Sequence, residues 1–178
     1  MISLINWWNA QPRCINCGKK YTRHSFYSRG MFTKLGLIDI SIQRARCKTC
    51  NVTHAILPCF IIPYSRFLSK IKGAAIKGHA EGLSAEKIAD QLGLIDSRII
   101  KIWWKKFSGK ANSLSKWLAK ILSSTSGYTK WLRGTPESIK ELVCWVFKLL
   151  DLLRERCHPD FDFDNFALLN LLNCEYTM

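Results

Sequence analysis

The stretch RARCKTCNVTHAILP, residues 44–58, decides how the first part of this chain folds. It holds Cys47 and Cys50, two thiols separated by two residues, among Arg44, Arg46 and Lys48. An earlier segment, RCINCGKK, residues 13–20, carries Cys14 and Cys17 at the same spacing, so the pattern reads C-x2-C, 29 residues, C-x2-C. A two-residue spacer lets both thiolates of a pair face one point in a tight turn. A tetrahedral zinc ion needs four such sulfurs at about 2.3 Å. Gly18 follows the first pair and Asn51 the second. These residue types best tolerate the positive φ that a metal knuckle needs just after its second cysteine. The spacer is longer than the roughly 15–20 residues of the commonest zinc patterns, which leaves room for a β-hairpin or a three-stranded ribbon.

Other uses of the thiols fit less well. A thioredoxin-like redox pair is single and sits in a βαβ pattern, whereas here there are two pairs and no such pattern. The opening MISLINWWNAQPRC has no basic n-region and no apolar run of signal length. Thiols are then expected to stay reduced, and a disulfide framework is not expected. The expectation is a structural zinc site on Cys14, Cys17, Cys47 and Cys50. The remaining cysteines, Cys59, Cys144, Cys157 and Cys174, read as small buried apolar residues. His54 and His24 lie near the pairs, but four thiolates already fill a tetrahedral shell. His24, in the apparent strand RHSFYSRG, is read as facing nucleic acid or solvent.

Around the knuckles the periodicity is that of strands. Residues 21–30 mix aromatics and hydroxyls. Residues 37–46, LIDISIQRAR, alternate, with Leu37, Asp39, Ser41 and Gln43 on one side and Ile38, Ile40 and Ile42 on the other. Two or three short strands between two knuckles make a zinc ribbon, whose core is too small to fold without its metal. Residues 55–65 form an apolar connector that Pro58 and Pro63 keep extended, and helical periodicity begins near Ser65 and runs to His79.

The second motif is GLSAEKIADQLGLIDSRIIKIWWKKF, residues 82–107. Ser84 is placed to cap a helix, with Glu86 in its first turn. Ile88, Ala89 and Leu92 form one apolar face, Gly93 ends the helix, and Asp96 or Ser97 caps the next. Ala89, Gly93 and Ile99 have the spacing of a helix-turn-helix, in which the small residue lets the helices approach and glycine makes the turn. The second helix, RIIKIWWKKF, carries Arg98, Lys101, Lys105 and Lys106 and no acid. Either Ile99 and Ile102 face its core, or Ile100, Trp103 and Phe107 do; the second set has the better helical spacing. An ordinary amphipathic helical hairpin is the alternative, against which the acid-free helix argues. As a recognition helix it would bring Ser97, Arg98 and Lys101 to base edges and Lys105 and Lys106 to phosphates. Arg44 and Arg46 on the ribbon are further candidate DNA contacts.

Further on, NSLSKWLAKIL, residues 112–122, reads as a helix, and SSTSG as a joint. A longer helix is expected from Pro136, capped by Thr135, to about Arg156, with Ile139, Leu142, Val143, Val146, Leu149, Leu150 and Leu153 as its apolar face. A short helix is expected near 164–173. Asp160, Asp162 and Asp164 lack the glycine turn and distal glutamate of a calcium loop. No run is long and apolar enough to span a membrane.

Charge is unevenly spread over the 178 residues. Residues 1–110 carry 19 Lys plus Arg against 5 Asp plus Glu, and residues 111–178 carry 8 against 8, so the whole net charge of +14 lies in the first part. A block of this kind predicts polyanion binding. The fold class expected is α+β, mostly α. The divisions are 1–60 as a four-cysteine zinc ribbon, 61–110 as a helix-turn-helix DNA-binding region, and 111–178 as a helical packing or self-association segment.

The residues CINCG and RARCKTCNVTHAILPCFIIPYSRF, followed by GLSAEKIADQLGLIDSRIIKIWWKKF, resemble an uncharacterised bacterial family that joins a transposase-like zinc ribbon to a helix-turn-helix. It is related to the amino-terminal DNA-binding part of insertion-sequence transposases. The resemblance covers roughly residues 12–108. It implies that Cys14, Cys17, Cys47 and Cys50 hold zinc and that the 98–107 helix is the recognition helix. A transposase catalytic domain needs three carboxylates around two Mg²⁺ ions on a mixed α/β fold larger than the 68 residues after position 110, and those residues read helical. No Ser-His-Asp or Cys-His arrangement and no Gly-rich phosphate loop stands out. A binding protein, not an enzyme, is therefore expected: a cytoplasmic, nucleoid-associated, transposon-linked accessory or regulatory factor. Its partners would be double-stranded DNA and, through the carboxy-terminal helices, a transposase or a second copy of the chain. The alternatives are an RNA-binding zinc ribbon, and the DNA-binding subunit of a transposase whose catalytic domain is on another chain.

Overall fold

The computed structural model describes residues 12–125 and 136–157. Among the described residues, a three-stranded antiparallel sheet, ordered β1-β2-β3, precedes five helices, as the expected α+β class requires. The strands are β1 (Thr22–Thr33), β2 (Gly36–Cys47) and β3 (Val52–Ile56); the helices are α1 (Ser69–Ala80), α2 (Ala85–Leu92), α3 (Arg98–Ser108), α4 (Ala111–Thr125) and α5 (Ile139–Cys157). No described helix is long and apolar enough to cross a membrane.

Two differences from the sequence reading stand out in the ribbon. β1 and β2 have 12 residues each and are not short. They are closed by a two-residue turn in which the Thr33 hydroxyl accepts the Leu35 N–H (3.1 Å) and donates to the Gly36 carbonyl (2.9 Å). Two strands lie between the knuckles, and a third follows the second knuckle, taking in residues 55 and 56 at the start of the expected connector. Asn51, at φ 54°, turns the chain so that Val52 pairs with Cys47. The second knuckle thus doubles as a hairpin turn.

Alternation in β2 holds through Ile42, then changes phase, since Ala45 and Cys47 are also buried. Opposite this point the β1–β2 register shifts between Arg23 and Ser25, leaving His24 as the extra residue of a bulge. Side chains alternate along a strand, so Ile42 and Ala45 lie on opposite faces of β2. Each face has its own small cluster. Ile42 joins Met31 and Ile61, while Ala45 joins Cys14, Tyr21 and Cys47.

The connector then runs back along the ribbon and docks it on the helices. Residues 65–68 are not yet helical. Phe67 bridges to Phe32 and Leu68 to Ile61, so α1 starts at Ser69 and not near Ser65. Phe32 stacks on Phe67 (centroids 5.2 Å), whose ring meets Trp103 of α3 edge-on (5.0 Å).

The helix signals between α2 and α3 act as their residue types dictate. The Ser84 side chain accepts the Lys87 N–H (3.2 Å), Gly93 takes the left-handed conformation (φ 66°), and Asp96 accepts the Arg98 N–H (2.9 Å), whereas Ser97 makes no side-chain cap bond. Of the two registers open for α3, the buried set is Ile100, Trp103 and Phe107; Ile102 is 53% exposed. α5 begins three residues after Pro136, at Ile139. Its cap is Ser138, whose hydroxyl accepts the Glu141 N–H (3.2 Å), while Glu141 reaches back to the Glu137 N–H (2.8 Å). Thr135, the residues near 164–173 and the three aspartates lie outside the described residues. One apolar cluster runs through all five helices, from Ile71 and Ile76 through Ile88 and Ile100 to Leu118, Val146 and Leu150. α4 and α5 therefore belong to the same core as α1–α3.

Candidate metal centre and the basic surface around it

The first knuckle is a turn in which the Gly18 N–H donates to the Cys14 carbonyl (2.7 Å) and the Cys14 N–H to the Lys19 carbonyl (2.8 Å). Gly18 adopts φ 69°, as a knuckle requires at this place. In the second knuckle the Cys50 N–H points at the Cys47 sulfur (3.4 Å). The two turns face each other and bring all four sulfurs within 4.8 Å of one another. The Cys17 and Cys47 sulfurs are 3.5 Å apart and those of Cys14 and Cys50 are 4.0 Å apart. A tetrahedral shell with zinc–sulfur bonds of about 2.3 Å spaces its sulfurs about 3.8 Å apart, so the donors already stand at metal-binding separation. Four sulfur donors in this arrangement suit zinc or iron.

The thiols perturb one another strongly. Burial raises the pKa of Cys14, but the amides of Asn16 and Cys17 and the thiols of Cys47 and Cys17 outweigh it and bring the value down to about 6. Cys50 is pushed up to about 12, first by its hydrogen bond with Cys17 and then by burial and its other sulfur neighbours. Four thiols this close cannot all ionise against one another, and a divalent cation removes that conflict by replacing the protons. Tyr21 packs beside them, its phenol held above its usual pKa by burial and by Cys14. His54 is outside the group of four. Its ring lies against Tyr21 (centroids 5.6 Å), and its Nε2 is buried without a hydrogen-bond partner. His24, on the bulge, is exposed. Cys59 is buried and Cys144 is half-buried against the helical core, both apart from the cluster; the side chains of Cys157 and Cys174 lie outside the described residues.

The basic residues singled out in the sequence fall on two surfaces. On the ribbon, Arg44 is exposed with its guanidinium over the Tyr27 ring (5.2 Å), and Arg46 donates to the Asn51 side chain of the second knuckle. Arg23, Arg46 and Lys48 line a small cleft beside that knuckle. On α3, Lys105 and Lys106 are exposed, and Ser97 is half-buried before the first turn. Arg98 is exposed but paired, its Nε 3.0 Å from Asp96. The hydrogen bond from Arg98 holds the Asp96 carboxyl below its usual pKa. Lys101 stands 3.9 Å from Glu86 of α2, both well exposed. Exposed pairs of this kind contribute about 0–1 kcal/mol, so they hold Arg98 and Lys101 only weakly. Reasoning from the sequence missed Arg66, Lys72 and Lys110, which the fold gathers beside α3. No motif marks them, because the connector that aligns them reads only as apolar.

No curated protein and no solved structure matches this chain. Residues 14–97, from the first knuckle cysteine to the residue before α3, match the family model described as a domain of unknown function, DUF6431.

Proposed function

We propose that this chain is a zinc-stabilised, sequence-specific duplex-DNA-binding protein, with α2 and α3 acting as a helix-turn-helix and without a catalytic centre of its own. The observation that carries the reading is the solvent face of α3. Ile100, Trp103 and Phe107 anchor the helix, which leaves Arg98, Lys101, Lys105 and Lys106 on an outer side that carries no acid of its own. Arg98 and Lys101 stand at the amino-terminal end, the part of a recognition helix that meets base edges. The left-handed turn at Gly93 and the buried Ala89 suit the close helix approach of that motif. The net charge of +14 supports the reading, as a phosphate backbone is the polyanion such a surface fits. Zinc is favoured over iron because the ribbon needs a closed, redox-silent structural site. The resemblance to transposase-associated proteins supports an accessory or regulatory role at element ends or an operator. A nucleoid-associated, cytoplasmic location goes with that role.

Sequencing DNA that co-purifies with the protein supplies the target. Binding of single variants to that target and to random duplex then tests the assignment. Arg98→Ala costs about 1–3 kcal/mol on the target and much less on random DNA. An unchanged target-to-random ratio for Arg98→Ala, with collapse of that ratio for Arg44→Ala, would move recognition to the ribbon strand. Preference for single-stranded RNA over duplex DNA would replace the reading with an RNA-binding one.

A further inference from the structure

Tyr64 is at odds with its surroundings. Its φ of 58° puts a bulky residue in the left-handed region, which glycine or asparagine normally fills. The residue is 95% exposed, so burial of its side chain does not offset that strain. The backbone beneath is held firmly. The Ser65 N–H donates to the Ile62 carbonyl (3.1 Å), and the Ser65 hydroxyl bonds both the N–H and the carbonyl of Phe67. Arg29 of β1 donates to the Ser65 carbonyl (2.8 Å). A loop that only had to turn would not keep a strained, uncovered aromatic at its crest. Strain of this kind, where the surroundings enforce it, marks a ligand-contacting position.

Beside the ring lies an open groove of about 650 Å³ between this loop and α3, a size usual for ligand sites of about 300–1,000 Å³. Its floor is apolar, with Ile99, Ile102 and Trp103, and its rim carries Arg66, Lys72, Lys106 and Lys110. No carboxylate lines it among the described residues. Lys72 is half-buried with Nζ 5.6 Å over the Trp103 ring. Burial first, and the charge of Lys106 second, lower its pKa, so cations crowd this opening with no acid among its lining residues.

We propose that the groove takes an unpaired nucleotide of a DNA strand, its base stacked on Tyr64 and its flanking phosphates on the rim cations. This rests on the duplex-binding reading and deepens it. Lys106 belongs both to the outer side of α3 and to the groove rim, so a strand leaving a duplex on α3 has a continuous positive path to Tyr64. An acidic peptide would also satisfy the cations, but it gives no reason for a strained aromatic at the crest. Base-on-aromatic stacking with cations along the backbone is how proteins hold single strands regardless of sequence.

The test uses the full-length, metal-loaded protein and two labelled duplexes of the same sequence, one blunt and one with a short unpaired end carrying 2-aminopurine. The unpaired end tightens binding about tenfold, within the range for one stacked base, and the 2-aminopurine fluorescence is quenched. Tyr64→Gly removes both effects and leaves blunt-duplex affinity and thermal stability undiminished, since glycine relieves the backbone. Tyr64→Phe keeps both. Equal affinity for the two duplexes, or quenching that persists in Tyr64→Gly, overturns this inference alone. Failure to bind either duplex overturns it together with the DNA-binding reading. Equal affinity for the two duplexes, with a wild-type dimer that Tyr64→Gly dissociates, would reassign the groove to self-association.

Discussion

Ile100 and Ile102 are two residues apart on one helix, and their responses to the same truncation should differ sharply. Ile100 is fully buried and Ile102 is 53% exposed. Ile100→Ala removes most of a side chain from the centre of the helical cluster, among Trp103 and Phe107 of its own helix and residues of α1 and α2. Truncations of this type cost about 2–5 kcal/mol, depending on how far the site can collapse. Aromatic neighbours on the same helix collapse poorly, so we expect about 3–4 kcal/mol. Each kcal/mol lowers Tm by about 2–4 °C in chains of this size, a fall of roughly 6–16 °C. Ile102→Ala loses part of its burial but gains helix propensity, and should stay within about 0.5 kcal/mol of the parent. Thermal and urea unfolding followed by far-ultraviolet circular dichroism, with metal present, measures both. Equal losses, or a larger loss at Ile102, would mean that α3 is turned on its axis. The cationic side would then not be the one assigned to DNA.

The metal site makes two further predictions. Cys47→Ser should abolish stoichiometric zinc, expected at about one per chain by elemental analysis, and unfold the ribbon; Cys144→Ser, apart from the cluster, should keep the metal. Because Cys50 is pushed up to about 12, it is protonated at neutral pH and must lose that proton to bind metal. Cys14, brought down to about 6, is already largely ionised there. Affinity should therefore rise with pH between 6 and 8, by up to about tenfold per unit for each proton released; chelator competition that shows no rise would refute this. Lys106→Ala in the full-length chain should lower the slope of log affinity against log salt by about 1. The full chain is needed because Leu114, Leu118, Val143 and Val146 complete the core on which α3 rests, so a chain cut at residue 110 exposes it.

Much of this architecture was legible because particular residues have few alternatives. The paired cysteines, with Gly18 and Asn51 behind them, define two knuckles that backbone sterics alone select. Ser84, Gly93 and Asp96 likewise mark helix ends through bonds they make locally. What escaped was set by long-range pairing. Nothing within VTHAI says that it closes a sheet, because its partner is on the far side of the knuckle. The helical pattern from Ser65 was overridden by bridges to Phe32 and Ile61. Pro136 is a good first helical residue, yet Ser138 and Glu141 cap a helix that starts three residues later, at Ile139. The groove at Tyr64 was invisible for the same reason. Its cations come from the connector, α1, α3 and the turn after α3, and only the fold brings them together.

The bulge at His24 has a consequence for how this ribbon can change over time. The cluster around Ile42 and the cluster around Cys47 occupy opposite faces of one strand, and the connector packs on the first while the sulfurs belong to the second. Adding one cross-strand pair between them would invert that parity and swing the knuckles to the other side. Adding two would restore it and lengthen the arm by about 7 Å. The hairpin is therefore free to drift in length only by even steps, and any odd step must be matched by the gain or loss of a bulge.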